Sequence, residues 1–273
     1  MNLIQILLLA VLQGLTEFIP VSSSGHLVIA SNFLSSNVSA EDINSVIIFL
    51  HFGTLFAVIF HYRNFIFEIL LGLVKREEKY LLIARNIILT SIPVFIVGLG
   101  FTLFIEKNLS REVQFYIATA ALITAGTLFI FSERFILNSR ERTLKSEDLS
   151  IYKSLMIGVF QSIGVIYGVS RSGITLFGSR SLSMTNKDSL DYTFLASIPV
   201  LVGASLVTLL TELDSAVQAV SIENIIIGIV VSGITGYFAI SFLLRYMRKR
   251  GLRLFGFYCV GFGIISLLLS FVI

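Results

Sequence analysis

Gln13 and Glu17 stand one helical turn apart, so they share a face, and Pro20 limits that helix just before the run Val21, Ser22, Ser23, Ser24, Gly25, His26. The serine hydroxyls are candidate nucleophiles, and His26 is a candidate acid or base. The surrounding sequence is apolar, where a carboxylate is costly unless it is paired or bound to a cation. Glu17 is therefore a functional candidate, with a structural hydrogen bond to a neighbouring helix as the plainer alternative.

A second stretch reads Tyr167, Gly168, Val169, Ser170, Arg171, Ser172, Gly173, Ile174, Thr175. A guanidinium cannot be deprotonated in a protein, so Arg171 in apolar surroundings needs an anion. Glu17 could supply it. The hydroxyls of Ser170, Ser172 and Thr175 and the backbone N–H groups ahead of a new helix also suit a phosphate, and phosphate is the favoured partner. A carboxylate beside a phosphate repels it unless a cation lies between, so Mg2+ or Ca2+ held in part by Glu17 is expected. Other polar residues are weaker candidates. His51, close to Gly53 and Thr54, either lines a cavity or makes a helix contact; His61 and Tyr62 are expected as interfacial anchors. Lys187 and Asp191 are expected at the surface, while Arg180 either snorkels or assists phosphate binding.

The elements that must position these residues are membrane helices. Of the 273 residues, 55% are hydrophobic and 14% charged, and the mean hydropathy is +0.90, far from a soluble domain. Apolar stretches at 46–62, 87–105, 115–132, 192–210, 225–244 and 255–273 are each about long enough to cross a bilayer core of ~30 Å. The regions 3–33 and 154–190 are apolar but interrupted at their centres by the two polar stretches. The N-terminus lacks the basic region of a cleavable signal, so the first helix is expected to stay. The single Cys259 allows no internal disulfide. A net charge of +3 comes from Lys and Arg in short loops between spans, which favours membrane lipids over nucleic acid as neighbours.

Basic residues gather in three loops: Arg63, Lys75, Arg76, Lys79 and Arg85; Arg134, Arg140, Arg142, Lys145 and Lys153; Arg245, Arg248, Lys249, Arg250 and Arg253. The positive-inside rule makes these cytoplasmic and the loops 34–45, 106–114 and 211–223 external. Region 154–190 must then enter and leave on the same side, as a re-entrant hairpin with its polar tip in the membrane. Residues 7–26, LLLAVLQGLTEFIPVSSSGH, align without a gap on residues 155–174, LMIGVFQSIGVIYGVSRSGI, sharing the Gln and the Val-Ser-x-Ser-Gly at one offset. The expected fold is an all-α polytopic membrane protein with an inverted-topology repeat, each half a re-entrant helical hairpin plus three spans. The first half is 1–132, a cytoplasmic linker is 133–153, and the second half is 154–273. Irregular backbone at membrane depth needs protein or a water-filled cavity around it, which places a site where the two tips meet.

At these residues the sequence resembles the undecaprenyl-diphosphate phosphatase family of the bacitracin-resistance type. Its first motif, Glu or Gln, three residues, then Glu, matches Gln13 and Glu17, and the following Pro-Val-Ser-Ser-x-Gly-His matches Pro20 to His26. Its second, Pro-Gly-x-Ser-Arg-Ser-x-x-Thr, matches Gly168, Ser170, Arg171, Ser172 and Thr175, with Tyr167 in place of the proline. The resemblance runs nearly end to end. It implies Glu17 near the metal, Ser23 or His26 in the chemical step, and Ser170, Arg171 and Thr175 on a diphosphate. It implies a polyprenyl diphosphate substrate, a plasma-membrane enzyme whose site opens to the extracytoplasmic side, recycling of the lipid carrier for cell-wall glycan synthesis, and bacitracin resistance. The residues themselves leave the nucleophile open between Ser23, His26 and water. Inverted repeats with broken helices also build transporters, a lipid flippase among them, and a lipid-binding protein or a candidate homodimer fits the same pattern.

Overall fold

A computed structural model describes residues 1–34, 40–137, 142–211, 220–247 and 250–271. The expected loops 34–45 and 211–223, the basic residues Arg140, Arg248 and Lys249, and the end of the 255–273 span lie partly or wholly outside the described residues. Eleven α-helices are described: α1 Leu3–Phe18, α2 Ser23–Leu34, α3 Ala40–His61, α4 Arg63–Val74, α5 Glu78–Phe104, α6 Arg111–Leu137, α7 Ile151–Ile163, α8 Arg171–Ser181, α9 Asn186–Thr211, α10 Ile222–Met247 and α11 Arg253–Leu269. A short 3-10 turn, Glu106–Asn108, joins α5 to α6. No strand occurs among the described residues, where β pairing is limited to an isolated bridge between Leu144 and Met184.

Among the described residues four helices are long and apolar enough to cross a membrane, Glu78–Phe104, Arg111–Ser132, Asn186–Val207 and Ile222–Met247, and a fifth span arises if the bent pair Phe49–His61 and Arg63–Val74 counts as one. The chain is an all-helical, multi-pass membrane protein. Large apolar side chains face outward as well as inward, and several polar ones are buried. Phe95, Ile96, Phe104, Phe238 and Leu254 are exposed, whereas Gln13, Glu17, Asn86, Thr90, Gln161 and Thr175 are buried. Lipid is as apolar as leucine, so what holds such helices together is close packing and interhelical hydrogen bonding.

The two polar regions are helix–turn–helix hairpins, α1–α2 and α7–α8. Asn2 and Gln5 form a reciprocal capping box at the start of α1. The helix ends at Phe18, where Pro20 approaches; α7 ends at Ile163, before the turn that carries Gly164 and Gly168. Helix α1 packs on α10 and α3, α7 on α5, α3 on both α9 and α10, and α6 on α11, while α2 and α8 both lie against α6. The base of the second hairpin is pinned by Thr90, whose hydroxyl bonds the Ser154 carbonyl at 3.0 Å and the Tyr192 hydroxyl at 2.6 Å. A core beneath both tips joins Phe18, Phe129, Phe194 and Ile240, with Phe18 and Phe194 edge to face at 5.7 Å.

Three features differ from the expectation: over its described residues the expected span 255–273 is the shorter apolar helix Arg253–Leu269, below the length of the four spans. Residues 63–74, expected within a basic loop, form α4, turned by 72° from the helix before it and exposing Phe67, Leu70 and Val74. Its apolar residues are too few for a span of their own, and the sharp bend after His61 makes it a separate helix. Tyr62, expected as an interfacial anchor, is buried and donates to Asp191 Oδ1 at 2.9 Å, tying α3 to α9.

The α6–α11 contact depends on two glycines. A Cβ on Gly126 would lie 2.8 Å from the Gly256 carbonyl oxygen, and one on Gly256 would lie 2.6 Å from that of Gly126. Gly256→Val should therefore lower the thermal midpoint in detergent by several degrees, for a cost of about 1–3 kcal/mol. Gly261→Ala, on the same helix but facing open space, should leave the midpoint unchanged or raise it, by ~0.5–1 kcal/mol. Equal midpoints for the two variants would contradict this packing.

Candidate active site

The two hairpin tips meet at Glu17. Its Oε2 accepts from Gln13 Nε2 at 3.0 Å and from Ser23 Oγ at 2.7 Å, while Oε1 accepts from Arg171 Nη2. His51 Nε2, on α3, lies 3.7 Å from Oε2. Ser23 is the first residue of α2 and Arg171 the first of α8, so two helix N-termini, each with unpaired N–H groups and a positive dipole end, converge on one carboxylate. The Glu17 side chain is 5% exposed, against 16% for Arg171 and 24% for His51. The cation and the imidazole therefore form the open side of the site, with the carboxylate behind them.

The tips are built alike. In the first, Ser22 Oγ accepts from the Gly25 N–H at 3.2 Å and lies 3.3 Å from Ser24 Oγ. In the second, Ser170 Oγ accepts from the Gly173 N–H at 3.2 Å and lies 3.2 Å from Ser172 Oγ. Each serine is thus the N-cap of its helix. The tips also interlock through small residues, since a Cβ on Gly25 would lie 3.0 Å from Gly168 Cα and one on Gly173 3.0 Å from Pro20 Cβ.

Of the residues singled out in the sequence, Gln13, Glu17, Ser23 and Arg171 are brought together directly. Ser170 and Ser172 flank Arg171 and bond to each other. Thr175 is fully buried and donates to the Arg171 carbonyl at 2.7 Å, so its hydroxyl fixes the first turn of α8. The contacts of His26 run elsewhere. Its Nδ1 lies 2.8 Å from the Ser22 carbonyl oxygen and must carry the hydrogen, so in the neutral ring Nε2 accepts from the Tyr258 hydroxyl at 2.8 Å. The ring stacks on Phe262, 4.2 Å between centroids. By this bond His26 braces Ser22, whose φ of 71° is costly for a residue with a side chain. Arg180 sits at the far end of α8 from Arg171, ~13 Å away at 1.5 Å per residue, and its Nε donates to Ser189 at 3.4 Å.

His51 and Tyr258 are the partners that sequence reasoning did not place. His51 carried a signal, as a histidine inside an apolar span, but its approach to Glu17 depends on how α3 packs against α1. Tyr258 carried none, being one aromatic residue in an apolar helix.

Among the described residues no group of three or more His, Cys, Asp and Glu side chains is arranged to hold a metal by itself. A cation that also binds substrate phosphates needs only one or two protein carboxylates. Glu17 fits that role, and beside it the Gln13 Oε1 is buried without a hydrogen-bond partner among the described residues, an oxygen of the hard type that Mg2+ and Ca2+ prefer.

The ion pair makes a quantitative prediction. Removing one partner of a buried pair costs about 3–5 kcal/mol because the other charge is stranded. Arg171→Met should lower the thermal midpoint in detergent markedly, and adding Glu17→Gln to it should restore part of the loss. If the two effects instead summed, the pairing would be refuted.

Residues 6–265 match the family described as bacitracin resistance protein BacA. The chain is similar to an undecaprenyl-diphosphatase of Methanococcus maripaludis, 36% identical over 253 residues that cover 93% of this chain and 94% of the relative. It is similar to the undecaprenyl-diphosphatase of Halothermothrix orenii, 34% identical over 272 residues and 99% of both chains. A third relative so named, from Thermosipho africanus, is 34% identical over 263 residues, 95% of this chain and 97% of the relative.

Proposed function

From the premise that the chain belongs to the bacitracin resistance protein BacA family, we propose that it is an undecaprenyl-diphosphate phosphatase, removing the terminal phosphate of the lipid diphosphate at the junction of its two hairpin tips. The monophosphate carrier returns to cell-wall glycan synthesis, and bacitracin resistance follows from removing the diphosphate form. The observation that carries the reading is the single carboxylate to which both tips bond: a serine from one and an arginine from the other meet at Glu17.

Ser23 is the nucleophile in this reading, because its hydroxyl already donates to Glu17 Oε2. The carboxylate takes the proton as Ser23 Oγ attacks the terminal phosphorus. The bond from that phosphorus to the bridging oxygen breaks, and the lipid monophosphate leaves. Water then hydrolyses the phosphoserine and inorganic phosphate departs. Arg171 has five donors. Nη2 lies on Glu17, and the others serve the phosphate oxygens, whose charge in the transition state is best met by fixed cations and dipoles. Ser170 and Ser172 line the same helix start, while Thr175 and His26 hold the two turns in place. A divalent cation, Mg2+ or Ca2+, held by Glu17 and the Gln13 Oε1 would neutralise diphosphate charge when bound.

The sidedness and symmetry belong to the same proposal. The two halves are inverted repeats, 1–132 and 154–273 about the linker 133–153. Support comes from the exchanged pairings, α1 on α10 of the other half and α7 on α5, and from the matched bonds at the tips. With the basic loops inside, the site opens to the extracytoplasmic face of the plasma membrane, and the polyprenyl tail lies among apolar helices.

Purified protein in detergent should release inorganic phosphate from undecaprenyl diphosphate without any membrane gradient, and EDTA should suppress the release. Ser23→Ala should reduce kcat by about 10³-fold or more, as loss of a nucleophile does. Acid quenching of the wild type during turnover should leave phosphate on Ser23, detected by peptide mass spectrometry. Undiminished turnover by Ser23→Ala would assign the attack to water instead.

A further inference from the structure

The bond that Tyr167 makes lies outside the mechanism above. Its hydroxyl donates to Glu106 Oε1, on the 3-10 turn Glu106–Asn108 that links α5 to α6. Its ring meets Phe101 of α5 edge to face, 5.8 Å between centroids. The next residue, Gly168, has φ of +90°, and a Cβ there would lie 2.1 Å from the Ala118 carbonyl oxygen of α6. Two consecutive residues of the second tip are thus fixed to the α5–α6 pair, one by its hydroxyl and the other by backbone contact. Three residues beyond Gly168 stands Arg171, at the start of α8.

We infer that Tyr167 and Glu106 form a clamp that positions Arg171 on the diphosphate; the inference rests on the phosphatase reading above. Apart from Val169, which is buried in the core, the turn 164–170 has few holds on the rest of the protein. Its bonds are local, Val165 to Ser162, Ile166 to Ile163 and Val169 to Ile166, and they shape the turn without attaching it to the rest of the protein. The described attachments are the Val169 side chain in the core, the Gly168 contact, Gly25 beside it, and the phenol–carboxylate bond. Among these only the phenol–carboxylate bond is a charge-assisted hydrogen bond, the stronger kind. Arg171 must present its remaining donors to a transferring phosphoryl group within a fraction of an ångström, because misplacement by about 1 Å can cost ~10² in rate. Tyr167 touches neither Glu17 nor any residue assigned to the chemical step in the contacts described, so it acts as a positioning residue.

The test is steady-state phosphate release from undecaprenyl diphosphate by purified variants in detergent, each checked for a wild-type thermal midpoint. Tyr167→Phe keeps the ring on Phe101 and loses the bond; kcat should fall several-fold with KM changed less than about twofold, since the loss is one of transition-state positioning. Glu106→Gln keeps an acceptor oxygen and should retain most of the wild-type kcat, whereas Glu106→Ala should match Tyr167→Phe. The double variant Tyr167→Phe/Glu106→Ala should be no slower than either single one. The clamp is overturned if Tyr167→Phe turns over at the wild-type rate, if Glu106→Gln falls as far as Glu106→Ala, or if the double variant multiplies the single losses. A wild-type protein that releases no phosphate would instead overturn the phosphatase reading itself.

Discussion

A buried carboxylate has to be satisfied, and in this protein that requirement organises the centre of the molecule. Glu17 is 7% exposed in a chain surrounded by lipid, where an unpaired charge would cost several kcal/mol. Its two oxygens collect one guanidinium and two neutral donors, and an imidazole stands nearby. Those four groups come from α1, α2, α3 and α8. Because satisfying Glu17 takes all of them, both hairpin turns are drawn to one point. Glu17 and Arg171 consequently form one paired electrostatic unit, with Arg171 on its more exposed side.

The turns can hold irregular backbone inside the protein because each is capped from within and wedged against the other. Ser22 and Ser170 satisfy N–H groups at helix starts buried inside the protein, and Gly25 and Gly173 let the two turns approach to van der Waals contact. The spans around them have a simpler task. Many of their Phe, Ile and Leu side chains turn outward while others, such as Phe129 and Phe194, fill the core, so apolar surface against lipid sets where they sit, and close contacts such as Gly126 on Gly256 set how they pair.

Much of this was legible in the residues because it is local. Gln13 and Glu17 one turn apart, Pro20 as a helix stop, and Ser-x-Ser-Gly before a new helix are patterns along the chain, and each appears in the structure as hairpin, turn and cap. The meeting of the tips could be argued from the repeated stretch and from the cost of polar backbone in lipid. What the sequence did not reveal depends on helices far apart in the chain. His51 reaches Glu17 only through the packing of α3 on α1; Tyr258 meets His26 across more than two hundred residues; Tyr167 finds Glu106 on a connection that reads as an ordinary loop. Helix α4 escaped notice for a different reason, since its apolar run, 65–74 with Glu68 inside it, is too short to read as a span when only spans are sought.

The central claim is that Glu17 acts as the base at the junction of the tips and does more than hold them together. It is tested most directly by phosphate release from undecaprenyl diphosphate by Glu17→Gln, whose amide oxygen can still accept from Arg171 and whose NH2 can donate to Ser23 Oγ, but which cannot take a proton efficiently. A protein that folds and binds the lipid diphosphate, yet turns it over about 10²–10⁴-fold more slowly, is the predicted result. Turnover near the wild-type rate would mean that Glu17 is only structural and that the chemistry lies elsewhere.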